Sequence, residues 1–116
     1  MANFIEVGKA GELDSGTMKK NIVQGHEILL ARVGDNFYAA DNRCPHLKGD
    51  LSQGTLEGTV VTCPKHSSQF DLTDGHVVRW LKGPGFVSRL GKFLRTPTPL
   101  TLYSIKIEAE KILIEI

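Results

Sequence analysis

The sequence predicts an all-β fold, a small antiparallel sandwich or barrel, and three observations carry that expectation. Short apolar runs are punctuated by glycine turns, two of those turns sit between strand-like segments as hairpin signals, and the C-terminal end alternates apolar and polar residues with a period of two. The first hairpin joins HEILLARV (26–33) to FYAADN (37–42) through Gly34-Asp35-Asn36. GTVVTC (58–63) is a further strand that runs straight into a cysteine. SQFDL (68–72) and HVVRWL (76–81) flank Thr73-Asp74-Gly75 and form the second hairpin. At the end of the chain Tyr103, Ile105 and Ile107 alternate with Ser104, Lys106 and Glu108, and Ile112, Ile114 and Ile116 share one face.

The bulk numbers fit one such domain spanning 1–116, without linker or internal repeat. A hydrophobic share of 41% and a charged share of 23% describe a globule with a core. Fourteen Lys and Arg against thirteen Asp and Glu leave a net charge of +1, which argues against a general nucleic-acid binder. The N-terminal stretch carries acids early and lacks the apolar run of an export signal. No segment approaches the roughly 18 apolar residues of a membrane helix. The expected location is therefore cytoplasmic, with no membrane association.

One stretch departs from the β pattern. Within Gly83–Pro99, Phe86, Leu90, Phe93 and Leu94 fall at helical spacing, so a short helical or irregular insertion is expected near 85–98. Gly91 weakens the helix. No acid occurs between Gly75 and Ile107, and Arg79, Lys82, Arg89, Lys92 and Arg95 make the region locally basic. Such a stripe is expected to pack on the chain's own core; a docking surface for an acidic partner is the second possibility.

The chemistry-bearing residues are concentrated in two loops. Cys44-x-His46 and Cys63-x-x-His66 are separated by sixteen residues, and these are the chain's only cysteines. A reducing compartment disfavours a structural disulfide between them. Two thiolates and two imidazoles suit tetrahedral zinc, although common zinc patterns pair cysteines in one knuckle and histidines in another. One cysteine and one histidine per loop also suits a two-iron cluster with cysteines on one iron and histidines on the other. Neutral imidazoles in place of two thiolates raise the potential to about −150 to +300 mV, against about −400 mV for all-cysteine clusters of the plant type.

CPHLKGDLSQG (44–54) and CPKHSSQFDLTDG (63–75) resemble the two cluster loops of Rieske [2Fe-2S] proteins, and the likeness extends from about Ala2 to Ile116. The resemblance implies a cluster-binding subdomain of two loops, one [2Fe-2S] cluster, Cys44 and Cys63 on the inner iron, and His46 and His66 on the outer iron. It places Ser68, Phe70 and Pro84 around them. In cytochrome bc complexes the same family carries a disulfide between the loops, at the positions of Gly49 and Lys65 here, so that bridge cannot form. Those proteins also donate hydrogen bonds to cluster sulfurs from a serine and a tyrosine. Ser68 stands at the first position and Phe70 at the second, which implies a potential below that of the bc-type proteins.

The implied function is a soluble Rieske-type ferredoxin, not itself an enzyme. It would carry single electrons from a flavin or NAD(P)H-linked reductase to an oxygenase or other acceptor. The alternatives are a small Rieske subunit of a larger redox enzyme, of the nitrite reductase type, and a zinc-stabilised interaction module. His26 and His76 are expected at the surface and Trp80 in core packing. Arg43, Lys48, Lys65, Asp41 and Asp50 are expected as mostly solvated loop charges, with a basic docking rim as the functional possibility.

Overall fold

The computed structural model describes residues 4–45, 49–65, 67–79 and 99–116. Within them the chain forms antiparallel strands and two short 3-10 turns, Ala10–Glu12 and Leu51–Gln53. Strands β1 (Phe4–Lys9), β11 (Lys111–Glu115) and β10 (Ile105–Glu108) make one sheet, in that order. A second sheet has the order β2 (Thr17–Val23), β3 (His26–Val33), β4 (Asn36–Asp41), β9 (Leu102–Tyr103). The third is a meander of β5 (Thr55–Glu57), β6 (Val60–Thr62), β7 (Gln69–Asp71) and β8 (Val77–Arg79). Among the described residues no helix is long and apolar enough to cross a membrane.

The second sheet is the middle layer, and β3 shows why. Its run Ile28-Leu29-Leu30-Ala31 is buried on both faces. Because strand side chains alternate, Ile28 and Leu30 join Val7, Ile112 and Ile114 on one side, while Leu29 and Ala31 join Val61, Phe70 and Leu72 on the other. Ala39 and Ala40 of β4 divide in the same way. Each fully buried Leu or Ile contributes about 1.5–3 kcal/mol. Thus β3, with β4 beside it, ties the layer of β1, β10 and β11 to the layer that carries the cysteines.

Both expected hairpins form. Val33 pairs with Asn36, and Gly34 has a φ of 64° at the first central position, where primed hairpin turns favour glycine. Phe70 pairs with Val77 across the second turn. Ile112 and Ile114 are buried as their alternation predicts, but Ile107 remains 41% exposed on the edge strand β10. Strands β1 and β2 were not evident from the sequence pattern. Register shifts between Glu6 and Gly8 of β1, and the Val7 carbonyl left there accepts a hydrogen bond from the Asn21 side chain of β2.

Strands β4 and β9 are adjacent although some sixty residues separate them: Ala40 pairs with Leu102, and the Asp41 amide donates to the Thr101 carbonyl at 2.9 Å. The whole cysteine-bearing unit therefore leaves and re-enters the middle sheet at one place.

Candidate metal centre

Cys44 follows β4 and Cys63 follows β6 directly. The two loops close by the same hydrogen bond. The Cys44 amide donates to the Gly49 carbonyl and the Cys63 amide to the Ser68 carbonyl, each at 2.8 Å and each five residues on. In the second loop the Ser67 amide also donates to the Cys63 carbonyl at 3.0 Å, and Ser67 adopts a φ of 63°. Its carbonyl accepts from the Arg79 Nε at 3.2 Å, which ties β8 to the loop. This conformation costs a residue with a Cβ about 1–2 kcal/mol, and the two hydrogen bonds hold it in place.

Both cysteines are buried, Cys44 at 1% exposure and Cys63 at 2%, and they are not bridged to each other. They share one core with Leu51, Val61, Phe70, Leu72 and Leu100. The loops press together at Gly49, where a Cβ would lie 2.6 Å from the Cys63 Sγ and 3.4 Å from the Lys65 Cβ. Positions 49 and 65 thus face each other across the two loops. Ser68 and Phe70 are both fully buried at the base of the second loop. His46, His66, Lys48, Trp80, Pro84 and the 85–98 segment lie outside the described residues.

Two buried soft sulfur donors, one from each of two loops closed by the same hydrogen bond, fit a thiolate-bound metal or iron–sulfur centre. Among the described residues both cysteines are enclosed by apolar side chains, and Ser68 is buried beside the second loop.

The first loop is held by a polar network that sequence reasoning missed. Asn42 is fully buried. Its Nδ2 donates to the Asp50 Oδ1 at 2.7 Å, and its Oδ1 accepts from the Ser52 amide at 2.9 Å. Asp50 also accepts from the Ser52 hydroxyl at 2.6 Å and from the Lys20 Nζ at 3.3 Å. Arg43 donates to the Glu27 Oε2 through Nε at 2.8 Å and Nη2 at 2.6 Å. Burial pushes the Asp50 carboxyl upward, but the hydrogen bonds from Ser52, Asn42 and Lys20 and the charge of Lys20 outweigh it and bring the pKa to about 2. The Arg43 hydrogen bond likewise holds Glu27 below the ordinary carboxylate range. Arg43 and Asp50 are thus paired charges, which corrects the expectation of mostly solvated ones. Asp41 is shifted the other way, burial raising it against the opposing charge of His26. Lys65 is exposed at the second loop, and His26 and His76 are at the surface as expected. Only the position of Asn42, next to the ligand loop, was a sequence signal; Glu27 and Lys20 reach the network from the β2–β3 hairpin.

A family model described as the Rieske [2Fe-2S] domain matches residues 3–88. The ferredoxin component of the naphthalene 1,2-dioxygenase system of Pseudomonas aeruginosa is 30% identical over 105 residues, covering 90% of this chain and 88% of that protein. Ferredoxin CarAc of Metapseudomonas resinovorans is 37% identical over 73 residues, 62% of this chain and 68% of its own. A solved complex of reduced oxygenase and oxidized ferredoxin in carbazole 1,9a-dioxygenase contains a chain similar to this one, with a TM-score of 0.78, 26% identity, and coverage of 97% of this chain and 92% of that one. The ferredoxin of carbazole 1,9a-dioxygenase from Nocardioides aromaticivorans IC177 has the same fold, with a TM-score of 0.80 over 97% of each chain at 23% identity.

Proposed function

Because this chain belongs to the Rieske [2Fe-2S] domain family, we propose that it is a Rieske-type ferredoxin, a non-catalytic carrier of single electrons to an oxygenase. One observation carries the assignment of the centre: Cys44 and Cys63 are buried, unbridged, and set in two loops closed by the same hydrogen bond. In this reading residues 1–116 are one domain. Cys44 and Cys63 hold one iron, and His46 and His66 hold the other. When bound, the [2Fe-2S] cluster takes up and gives back one electron.

The protein's own residues do the rest. Leu51, Val61, Phe70 and Leu100 keep water from the cysteine sulfurs, since all four are buried around them. Gly49 leaves the space that the Cys63 sulfur occupies. Ser68 supplies a buried hydroxyl near the second loop, and Phe70 supplies a ring without a donor. A donor to the centre favours its more negative state, so this pair sets a potential between those of proteins with both hydroxyls and with neither.

The electron donor in this reading is a flavin or NAD(P)H-linked reductase. The terminal acceptor is an oxygenase, in keeping with relatives named as components of dioxygenase systems. In this reading the protein works in the cytoplasm. The test is EPR of the dithionite-reduced protein. A rhombic signal with a lower average g than an all-cysteine cluster gives is expected. Colourless, EPR-silent protein with one zinc per chain would favour the zinc module instead.

A further inference from the structure

The Asn42 network does more than fill a buried polar site. The two ends of the first ligand loop meet there. The Asn42 carbonyl accepts from the Leu51 amide at 2.9 Å, the Asn42 amide donates to the Glu27 carbonyl at 3.0 Å, and Arg43 pairs with Asp50 as an isolated bridge. With the two side-chain bonds to Ser52 and Asp50, every polar group of Asn42 is used. The loop that carries Cys44 is therefore clamped across its neck by one side chain. Asp50 extends the clamp to Lys20 on β2. Lys20 also approaches Glu27 on β3 at 3.7 Å, and Glu27 in turn holds Arg43 at the loop's other end.

We propose that Asn42 and Asp50 are positioning residues for the redox centre: their side-chain pair fixes the neck of the Cys44 loop, and with it the geometry in which Cys44 presents its sulfur. This rests on the reading of the centre given above. Asn42 suits the task because an amide offers a donor and an acceptor on one rigid plane, here aimed at Asp50 and at the Ser52 amide. Removing one partner leaves a buried group unsatisfied, and the loop must then shift or admit water.

The test compares Asp50→Asn with Asp50→Ala in the cluster-loaded protein. Asparagine keeps an oxygen that accepts from Asn42 and Ser52; alanine keeps neither bond. With Asp50→Ala, the EPR line shape of the reduced protein is expected to broaden or shift, and the visible absorbance of the oxidised protein to decay about tenfold faster. The Ser52 amide is expected to exchange its hydrogen about tenfold faster. With Asp50→Asn, line shape is expected to stay as in the wild type, and Ser52 exchange to rise clearly less than with Asp50→Ala. Wild-type line shape, decay and exchange in Asp50→Ala would overturn the proposal, as would equal effects of the two variants. If Asp50→Ala does not accumulate, the exchanged pair Asn42→Asp with Asp50→Asn decides. It keeps one donor facing one acceptor, so a wild-type line shape supports the clamp, and an altered line shape or absent protein overturns it. If the wild-type protein itself gives no rhombic signal, the reading of the centre fails, and Ser52 exchange still reports on the clamp.

Discussion

A Cβ on Gly49 would stand 2.6 Å from the Sγ of Cys63, closer than real Cβ contacts come. The two cysteine loops therefore touch where one contributes no side chain and the other contributes the buried Cys63 sulfur. Cys63 has its position because position 49 is empty. Gly49→Ala is expected to displace that sulfur at a cost of about 1–3 kcal/mol. Iron retention should weaken about tenfold or more. Iron and acid-labile sulfide per chain, measured beside far-UV circular dichroism, check this: full occupancy in a folded variant would refute it.

Phe70 is fully buried in the core that the two cysteines share. Phe70→Tyr adds a hydroxyl donor there and is expected to raise the reduction potential, by up to about 60 mV if the bond favours the reduced state tenfold. Ser68→Ala should lower it by a similar amount. Protein-film voltammetry on both variants is the measurement, and an unmoved midpoint in both would remove the role assigned to the pair.

Asp50 gives the fold a pH dependence of defined sign. Its pKa lies at about 2, against an ordinary 3.8. Being depressed, it contributes stability that is present above pH 3.8 and is lost as pH falls toward 2. Discounted for solvent screening, the contribution is about 1 kcal/mol. Asp50→Asn should melt about 4 °C below the wild type at pH 6, and the gap should narrow toward pH 2 and close below it. Thermal melts at a series of pH values will show whether the two curves converge.

The β10–β11 turn carries Ala109 and Glu110 at φ values of 49° and 65°, both left-handed, between the paired residues Glu108 and Lys111. Such a conformation costs a residue with a Cβ about 1–2 kcal/mol. Ala109→Asn with Glu110→Gly supplies the Asn-Gly pair that this turn favours. The variant should gain about 1 kcal/mol, or about 4 °C in Tm, with an unchanged potential. The Glu110 carbonyl, which accepts from the Ala10 amide at 2.7 Å, is a backbone group and survives the change.

The parts of the fold visible in the sequence are those in which one signal dominates. The β3–β4 and β7–β8 hairpins combine a glycine turn with apolar strands, and the two cysteines stand out because the chain has no others. Strand β2 escaped notice because it is an edge strand: Thr17, Lys19, Lys20 and Ile22 all face solvent, so the apolar alternation is faint. The polar clamp leaves no trace in the sequence for a different reason. Lys20, Glu27 and Asp50 are far apart in sequence and become partners only once β2, β3 and the loop are assembled. Single charged residues in loops give no indication of such pairing.

The contact between β4 and β9 makes the redox half of the molecule a graft. Asp41 and Thr101 form a doorway a single hydrogen bond wide, and residues 42–101 enter and leave through it. The host sheet closes behind them. An exchange of the segment between Asp41 and Thr101 must therefore lay an apolar floor on Leu29, Ala31 and Ala40 and supply partners for Glu27 and Lys20.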